Sequence, residues 1–127
     1  LPVKRLHMSI LKRELSDTAL QMVADRFKML AEPMRLRILH TLWDREMTVG
    51  EIIAETGGLQ ANVSKHLGIL QQASLLSRRK EGLNVYYQIC DESVYELCEV
   101  VCAGLYDRLA AQMSELPPAA PQRRRAS

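Results

Sequence analysis

Apolar residues recur along this chain with two different periods, and the switches between them divide it into elements. From about Ser16 to Ala31, Leu20, Val23, Phe27 and Leu30 fall three and four residues apart, which predicts an amphipathic helix capped by Ser16 or Asp17. Glu32-Pro33 resets the backbone, because proline disfavours helix in the residue before it and suits a first helical position. A second helix is predicted from there to about Trp43, with Leu36, Ile38, Leu39 and Leu42 turned inward; Asp44-Arg45-Glu46 is the polar break after it.

Thr48 and Glu51 stand three apart, the spacing of a capping box, and open a short helix around Ile52 and Ile53. Gly57-Gly58 ends it, since glycine enters the left-handed conformation at little cost. Over Gln60 to Ala73, Val63, Leu67 and Leu70 share one side of a helix, with Ala61, Ser64, Lys65, Gly68 and Gln72 opposite. The period then drops to two. Leu76–Lys80 and Val85–Ile89 read as strands joined by Glu81-Gly82-Leu83-Asn84, with Leu76, Val85, Tyr87 and Ile89 inward and Arg79, Asn84 and Tyr86 outward. A last helix, capped by Asp91 or Ser93, carries Val94, Leu97, Cys98, Val101, Leu105 and Leu109 to about Met113.

The fold class is therefore mainly α with a small β-hairpin. Residues 1–15 read as an N-terminal extension, 16–113 as one domain, and 114–127 as a disordered basic tail, given its proline, alanine and arginine content. The 127 residues suit a single domain, and 47% apolar content supplies a modest core. No run is long enough to span a bilayer, and Lys12, Arg13 and Glu14 interrupt the first apolar stretch, so neither a membrane segment nor a secretory signal is expected.

A formal net charge of +2 says little; its distribution says more. Lys65, Arg78, Arg79 and Lys80 concentrate in and after the second helix of the glycine-linked pair, opposed locally only by Glu81. Helix, turn, helix and basic hairpin in that order suit a DNA major groove and its flanking phosphates. Gln60 and Asn62 fit base edges, and Ser64 and Lys65 fit bases or phosphates. Arg78, Arg79 and Lys80 fit phosphates or the minor groove, with Asn84 and Tyr86 beside them. His66 lies off the apolar stripe and has two readings, packing or a phosphate contact. A protein-binding use of the same helices is the competing interpretation.

Phe27-Lys28-Met29-Leu30-Ala31-Glu32-Pro33-Met34-Arg35-Leu36-Arg37-Ile38-Leu39 is similar to the "L-A-x-P-x-R-L-R-I-L" signature of the ArsR/SmtB family of winged-helix repressors. Val63-Ser64-Lys65-His66-Leu67 resembles that family's "V-S-x-H-L" recognition helix, and Arg79-Lys80-Glu81-Gly82 with Tyr86-Tyr87 resembles its wing. The resemblance covers roughly residues 16 to 110. It implies a cytoplasmic winged helix-turn-helix repressor, dimeric through its first and last helices. Such a protein binds an inverted-repeat operator and leaves it when an inducer binds.

Two departures bear on the inducer. Family members sensing thiophilic metals before the turn carry Cys-x-Cys where this chain has Thr48 and Gly50, and members sensing zinc on the last helix use Asp and His, whereas this last helix has no histidine. His7 and His40 look too isolated to serve as ligands. Three cysteines remain, in neither a disulfide nor a C-x-x-C pattern: Cys98 and Cys102, one helical turn apart, and Cys90 just upstream. They read either as small packing residues or as an inducer site. Sulfur ligands without nitrogen or oxygen favour arsenite or antimonite over zinc, with oxidation or persulfidation as the alternative. No obligatory cofactor is expected. The chain has no phosphate-binding glycine loop and no nucleophile paired with a base, so catalysis is not expected either.

Overall fold

A computed structural model describes residues 14–113; His7, the Arg123–Arg125 run and most of the two predicted extensions lie outside them. The chain divides into two compact units at Glu32/Pro33. The first contributes α1, Asp17–Leu30, which starts where Ser16 Oγ accepts the backbone N–H of Ala19 at 3.1 Å. Leu20, Val23 and Phe27, the stripe that defines this helix in the sequence, are all exposed.

The second unit contains α2 (Pro33–Thr41), β1 (Met47–Thr48), α3 (Val49–Thr56), α4 (Gln60–Gln72), β2 (Leu76–Glu81), β3 (Asn84–Ile89) and α5 (Glu92–Met113). Its core is made by Ile38, Leu39, Leu42, Ile52, Val63, Leu67, Leu70, Leu75 and Val94, all essentially without solvent contact. Each such aliphatic side chain contributes roughly 1.5–3 kcal/mol by leaving water. Leu36, expected inside, is 41% exposed. The helical period places it beside the buried stripe rather than in it.

The α3–α4 turn is fixed at both ends by local chemistry. Thr48 Oγ1 accepts the Glu51 N–H at 3.2 Å while Glu51 Oε1 accepts the Thr48 N–H at 2.8 Å, completing the capping box. The hydrogen bonds from the Thr48 backbone and side chain hold the Glu51 carboxyl below the usual carboxylate range. At the other end Gly57 takes φ 70°, the left-handed value that closes the helix. Gly58 is needed for another reason: a Cβ there would stand 2.7 Å from Val63 Cγ2 and 3.1 Å from Met34 Cε. Buried Thr56 donates to Ile52 O at 2.8 Å and accepts the Gly58 N–H at 3.3 Å, tying the turn together.

The predicted hairpin is the larger part of a three-stranded antiparallel sheet in the order β1-β3-β2. β1 is an addition to the expected fold, pairing Met47 with Tyr87 and Thr48 with Tyr86. The loop is tighter than the sequence suggested, because Glu81 and Asn84 are themselves a strand pair and only Gly82 and Leu83 turn. Asp91 Oδ1 accepts the backbone N–H of Ser93 at 2.9 Å, capping α5. Val94 then anchors the first turn of α5 in the core, whereas every residue from Glu99 to Met113 is exposed.

Candidate nucleic-acid interface and thiol cavity

The apolar stripe of α4 holds that helix against the core, and the same rotation decides what faces outward. Val63, Leu67 and Leu70 are buried, leaving Gln60, Ser64 and Lys65 exposed and Asn62 half-buried. His66 is 6% exposed. That burial removes it from the set of candidate DNA contacts, and packing is the reading the structure supports.

Strand register sorts the three consecutive cations of the hairpin. Arg78 stands opposite Tyr87 and Lys80 opposite Val85, so both lie on the face that holds the core tyrosine. Arg79 stands opposite Tyr86 on the other face. There its guanidinium lies 4.5 Å from the centre of the Tyr86 ring. It donates from Nε to Glu46 at 2.9 Å, and at the same time from a terminal nitrogen to Glu81 at 2.6 Å. The Arg79 hydrogen bonds hold the Glu46 carboxyl below the usual range, and both carboxylates raise the guanidinium.

Arg79 therefore does not belong with the free cations that the sequence suggested. Together with Glu46 and Glu81 it forms a cluster whose formal charge is negative, and Tyr86 serves as its platform. Among the described residues no carboxylate pairs with Lys65, Arg78 or Lys80. Asn84 is exposed at the hairpin end. Of the four basic residues singled out in this stretch, Lys65 on α4 and Arg78 and Lys80 on β2 are thus exposed without a carboxylate partner. Leu83, which the sequence reading assigned only to the loop, is fully exposed at the tip.

The cysteines do not form a single site within the subunit. Cys90 is exposed at the end of β3, where its thiol donates to the Ser74 carbonyl at 3.4 Å. Cys98 and Cys102 instead line a separate cavity of about 430 Å³ between α2 and α5, shared with Leu36, Leu39 and Trp43. Trp43 is held there by an edge-to-face contact with Tyr95, centroids 4.4 Å apart and planes at 75°. Such a pair contributes about 0.5–1.5 kcal/mol beyond its buried area.

Burial, and to a lesser degree the neighbouring Cys102, pushes the Cys98 thiol above its ordinary value. His40 and Glu99 complete the cavity wall, so the histidine that looks isolated in the sequence is a neighbour of the thiol pair in space. Only tertiary packing reveals this. Among the described residues no group of three or more His, Cys, Asp or Glu side chains converges to hold a metal ion. Of the three cysteines singled out in the sequence, the fold brings Cys98 and Cys102 to one cavity and leaves Cys90 on the Ser74 carbonyl.

Residues 30–79 match a helix-turn-helix domain family. The chain is 35% identical over 100 residues to an uncharacterized HTH-type transcriptional regulator, Rv0081, of Mycobacterium tuberculosis, covering 75% of this chain and 88% of that one. The crystal structure of Rv0081 superposes with a TM-score of 0.69 at 32% identity, covering 77% and 99% of the two chains. The homodimeric winged helix-turn-helix DNA-binding domain of Mb0332 from Mycobacterium bovis, a possible ArsR-family regulator, gives a TM-score of 0.66 at 34% identity, covering 75% and 91%. AntR, an antimony-specific transcriptional repressor, gives 0.70 at 28% identity, covering 80% and 94%.

Proposed function

This chain belongs to the ArsR/SmtB family of winged-helix transcriptional regulators, and we propose that it is a homodimeric, cytoplasmic repressor released from DNA through the Cys98–Cys102 pair. The observation that carries the DNA reading is the sharing of labour around α4. Its apolar side locks the helix to the core and leaves Ser64 and Lys65 exposed, while on β2 Arg78 and Lys80 are exposed without a carboxylate partner. The α4 residues would read bases and the hairpin cations would neutralise phosphates. Two subunits joined through the exposed stripes of α1 and α5 would bring two such helices to an inverted repeat, with half-sites about one helical turn apart.

For the inducer, the thiol pair supports a trivalent metalloid such as arsenite or antimonite. Side chains one helical turn apart have Cβ atoms roughly 5–6 Å from each other, beyond the roughly 3.5–4.5 Å that a disulfide requires. A single atom placed between the sulfurs spans the difference. Two thiols and an As(OH)₃ molecule form two S–As bonds, break two As–O bonds and release two waters, with each thiol proton leaving on a hydroxide. No oxidant enters, and a protonated Cys98 is a suitable reactant. Oxidation or persulfidation would instead need the thiolate, which burial disfavours. The likeness to AntR supports the same class.

Bridging the pair would place a heavy atom in the cavity between α2 and α5 and so alter the presentation of the dimer stripe on α5. A coupling on the order of 1–3 kcal/mol suffices to change operator occupancy. The decisive experiment selects bound fragments from genomic DNA and then titrates the complex with arsenite, antimonite and a polysulfide. Release by the metalloids in the native chain, lost in Cys98→Ser and in Cys102→Ser, is the expected pattern. Failure to select any fragment would refute the DNA reading. Metalloid release that both variants retain would refute the thiol reading.

A further inference from the structure

The exposed face of α2 lines a second cavity, of about 700 Å³, that neither the DNA reading nor the thiol reading uses. That volume lies within the roughly 300–1,000 Å³ typical of small-ligand sites. Pro33, Leu36, Arg37 and His40 follow one another at helical intervals along it, and Glu55 of α3 joins them in the wall. Leu36 and His40 also line the thiol cavity, so the two spaces share part of a wall.

Arg45 reaches this cavity because the chain turns back after α2. Asp44 takes φ 59°, a left-handed value uncommon for a residue with a side chain, and the Arg45 N–H donates to the Leu42 carbonyl at 3.1 Å. Arg45 Nε then donates at 2.9 Å to the carbonyl of Thr41, the last residue of α2. That bond positions the guanidinium and, among the described residues, leaves its two terminal nitrogens without a partner.

Charge decides the kind of ligand. Among the described residues, Arg37, His40 and Arg45 make no ion pair with a carboxylate. Glu51, whose carboxyl is lowered first by its bonds to Thr48 and last by Arg45, is spent in the capping box. Glu55 is the one carboxylate in the wall, against two guanidinium groups and an imidazole. A guanidinium fork matches a carboxylate in shape and charge, and two forks from different segments call for two carboxylates. Pro33 and Leu36 offer apolar surface to the carbon chain that joins them.

We propose that this cavity binds a small organic dicarboxylate, with Arg37 and Arg45 each taking one carboxylate and the short hydrocarbon link lying on Pro33 and Leu36. The site is separate from the thiol pair and needs neither cysteine.

Titration of succinate into the full chain at constant ionic strength, followed through backbone amide NMR signals, tests this. Acetate and inorganic phosphate serve as the comparison anions. The expected result is saturable binding with shifts centred on Arg37, Thr41 and Arg45, and with acetate and phosphate each weaker by about tenfold or more, the worth of one lost charged hydrogen bond. Arg37→Gln and Arg45→Gln should each weaken succinate by a similar factor, whereas Cys98→Ser and Cys102→Ser should bind it as the native chain does. Should Arg45→Gln loosen the end of α2 by losing its bond to Thr41, Arg37→Gln decides alone. Shifts that do not saturate, or that centre instead on Lys65, Arg78 and Lys80, overturn the inference. So does an unaltered affinity in Arg37→Gln, or acetate or phosphate binding as tightly as succinate. None of these results bears on the thiol reading, which is lost only by the metalloid experiment above.

Discussion

Arg79 on β2 and Glu46 just before β1, thirty-three residues apart, are joined side chain to side chain, with the arginine Nε 2.9 Å from a carboxylate oxygen. The bond ties the hairpin to the segment that leads into α3, and it holds a cation of the basic stretch on an acidic partner. Freeing that cation should be visible in DNA binding. Glu46→Gln is expected to tighten binding and steepen its salt dependence, by up to about 0.9 in the logarithmic slope if Arg79 gains one phosphate. Arg79→Ala should cost less affinity than Lys65→Ala or Arg78→Ala, each of which should flatten the slope by about 0.9 per lost phosphate contact. Fluorescence anisotropy over a series of salt concentrations measures both effects.

The same pair has a signature in acid. Because Arg79 depresses the Glu46 pKa in the folded chain, the stabilisation is complete above the ordinary carboxylate value. It is lost as pH falls through the lower, folded value. Urea midpoints of the native chain and Glu46→Gln should therefore differ at neutral pH and converge in strong acid.

Gly58→Ala should destabilise by roughly 1–3 kcal/mol, the usual cost of forcing a methyl into a packed site. The new Cβ meets Val63 and Met34, so α4 would have to move away from α2. Denaturant unfolding gives the loss of stability, and weaker DNA binding by the folded fraction would show that the helix had shifted.

Burial should show in the reactivity of Cys98. Cys98, raised by burial, should alkylate in the folded chain with a pH midpoint above the one it shows in the urea-unfolded chain. Peptide mass spectrometry after brief iodoacetamide pulses across a pH series measures both. Equal Cys98 midpoints in the folded and unfolded chains would contradict the desolvated environment.

The exposed stripe of α5 is the proposed subunit contact, and Leu105→Glu places a charge in its centre. Sedimentation should then show a monomer, with operator affinity down by on the order of a hundredfold or more as the second half-site contact is lost. A Leu105→Glu variant that remains dimeric would move the interface elsewhere.

What could be read from the sequence was whatever depends on near neighbours. The Thr48–Glu51 box, the stop at Gly57 and the alternation around Tyr87 are all decided within a few residues, and the structure has them as expected. β1 was hidden because two residues carry no strand period; Met47 and Thr48 become a strand only by pairing with Tyr87 and Tyr86. A helical wheel could not settle His66, which sits at the edge of its stripe, nor could it show that Leu36 faces a cavity. The charge run at 78–80 looked uniform because its sorting needs Glu46, and Cys90 looked joined to the pair because closeness in sequence is not closeness in space. The proposed DNA face was legible to the level of elements, the thiol cavity only to the level of two residues.

Trp43 is the sole tryptophan of the chain, and it stands in the wall that Cys98 and Cys102 share. The protein therefore carries its own optical reporter at the place where an inducer would sit. A heavy atom bound to those sulfurs should dim the indole emission directly. Occupancy could then be followed in unlabelled protein, on or off DNA, as a change in intrinsic light output.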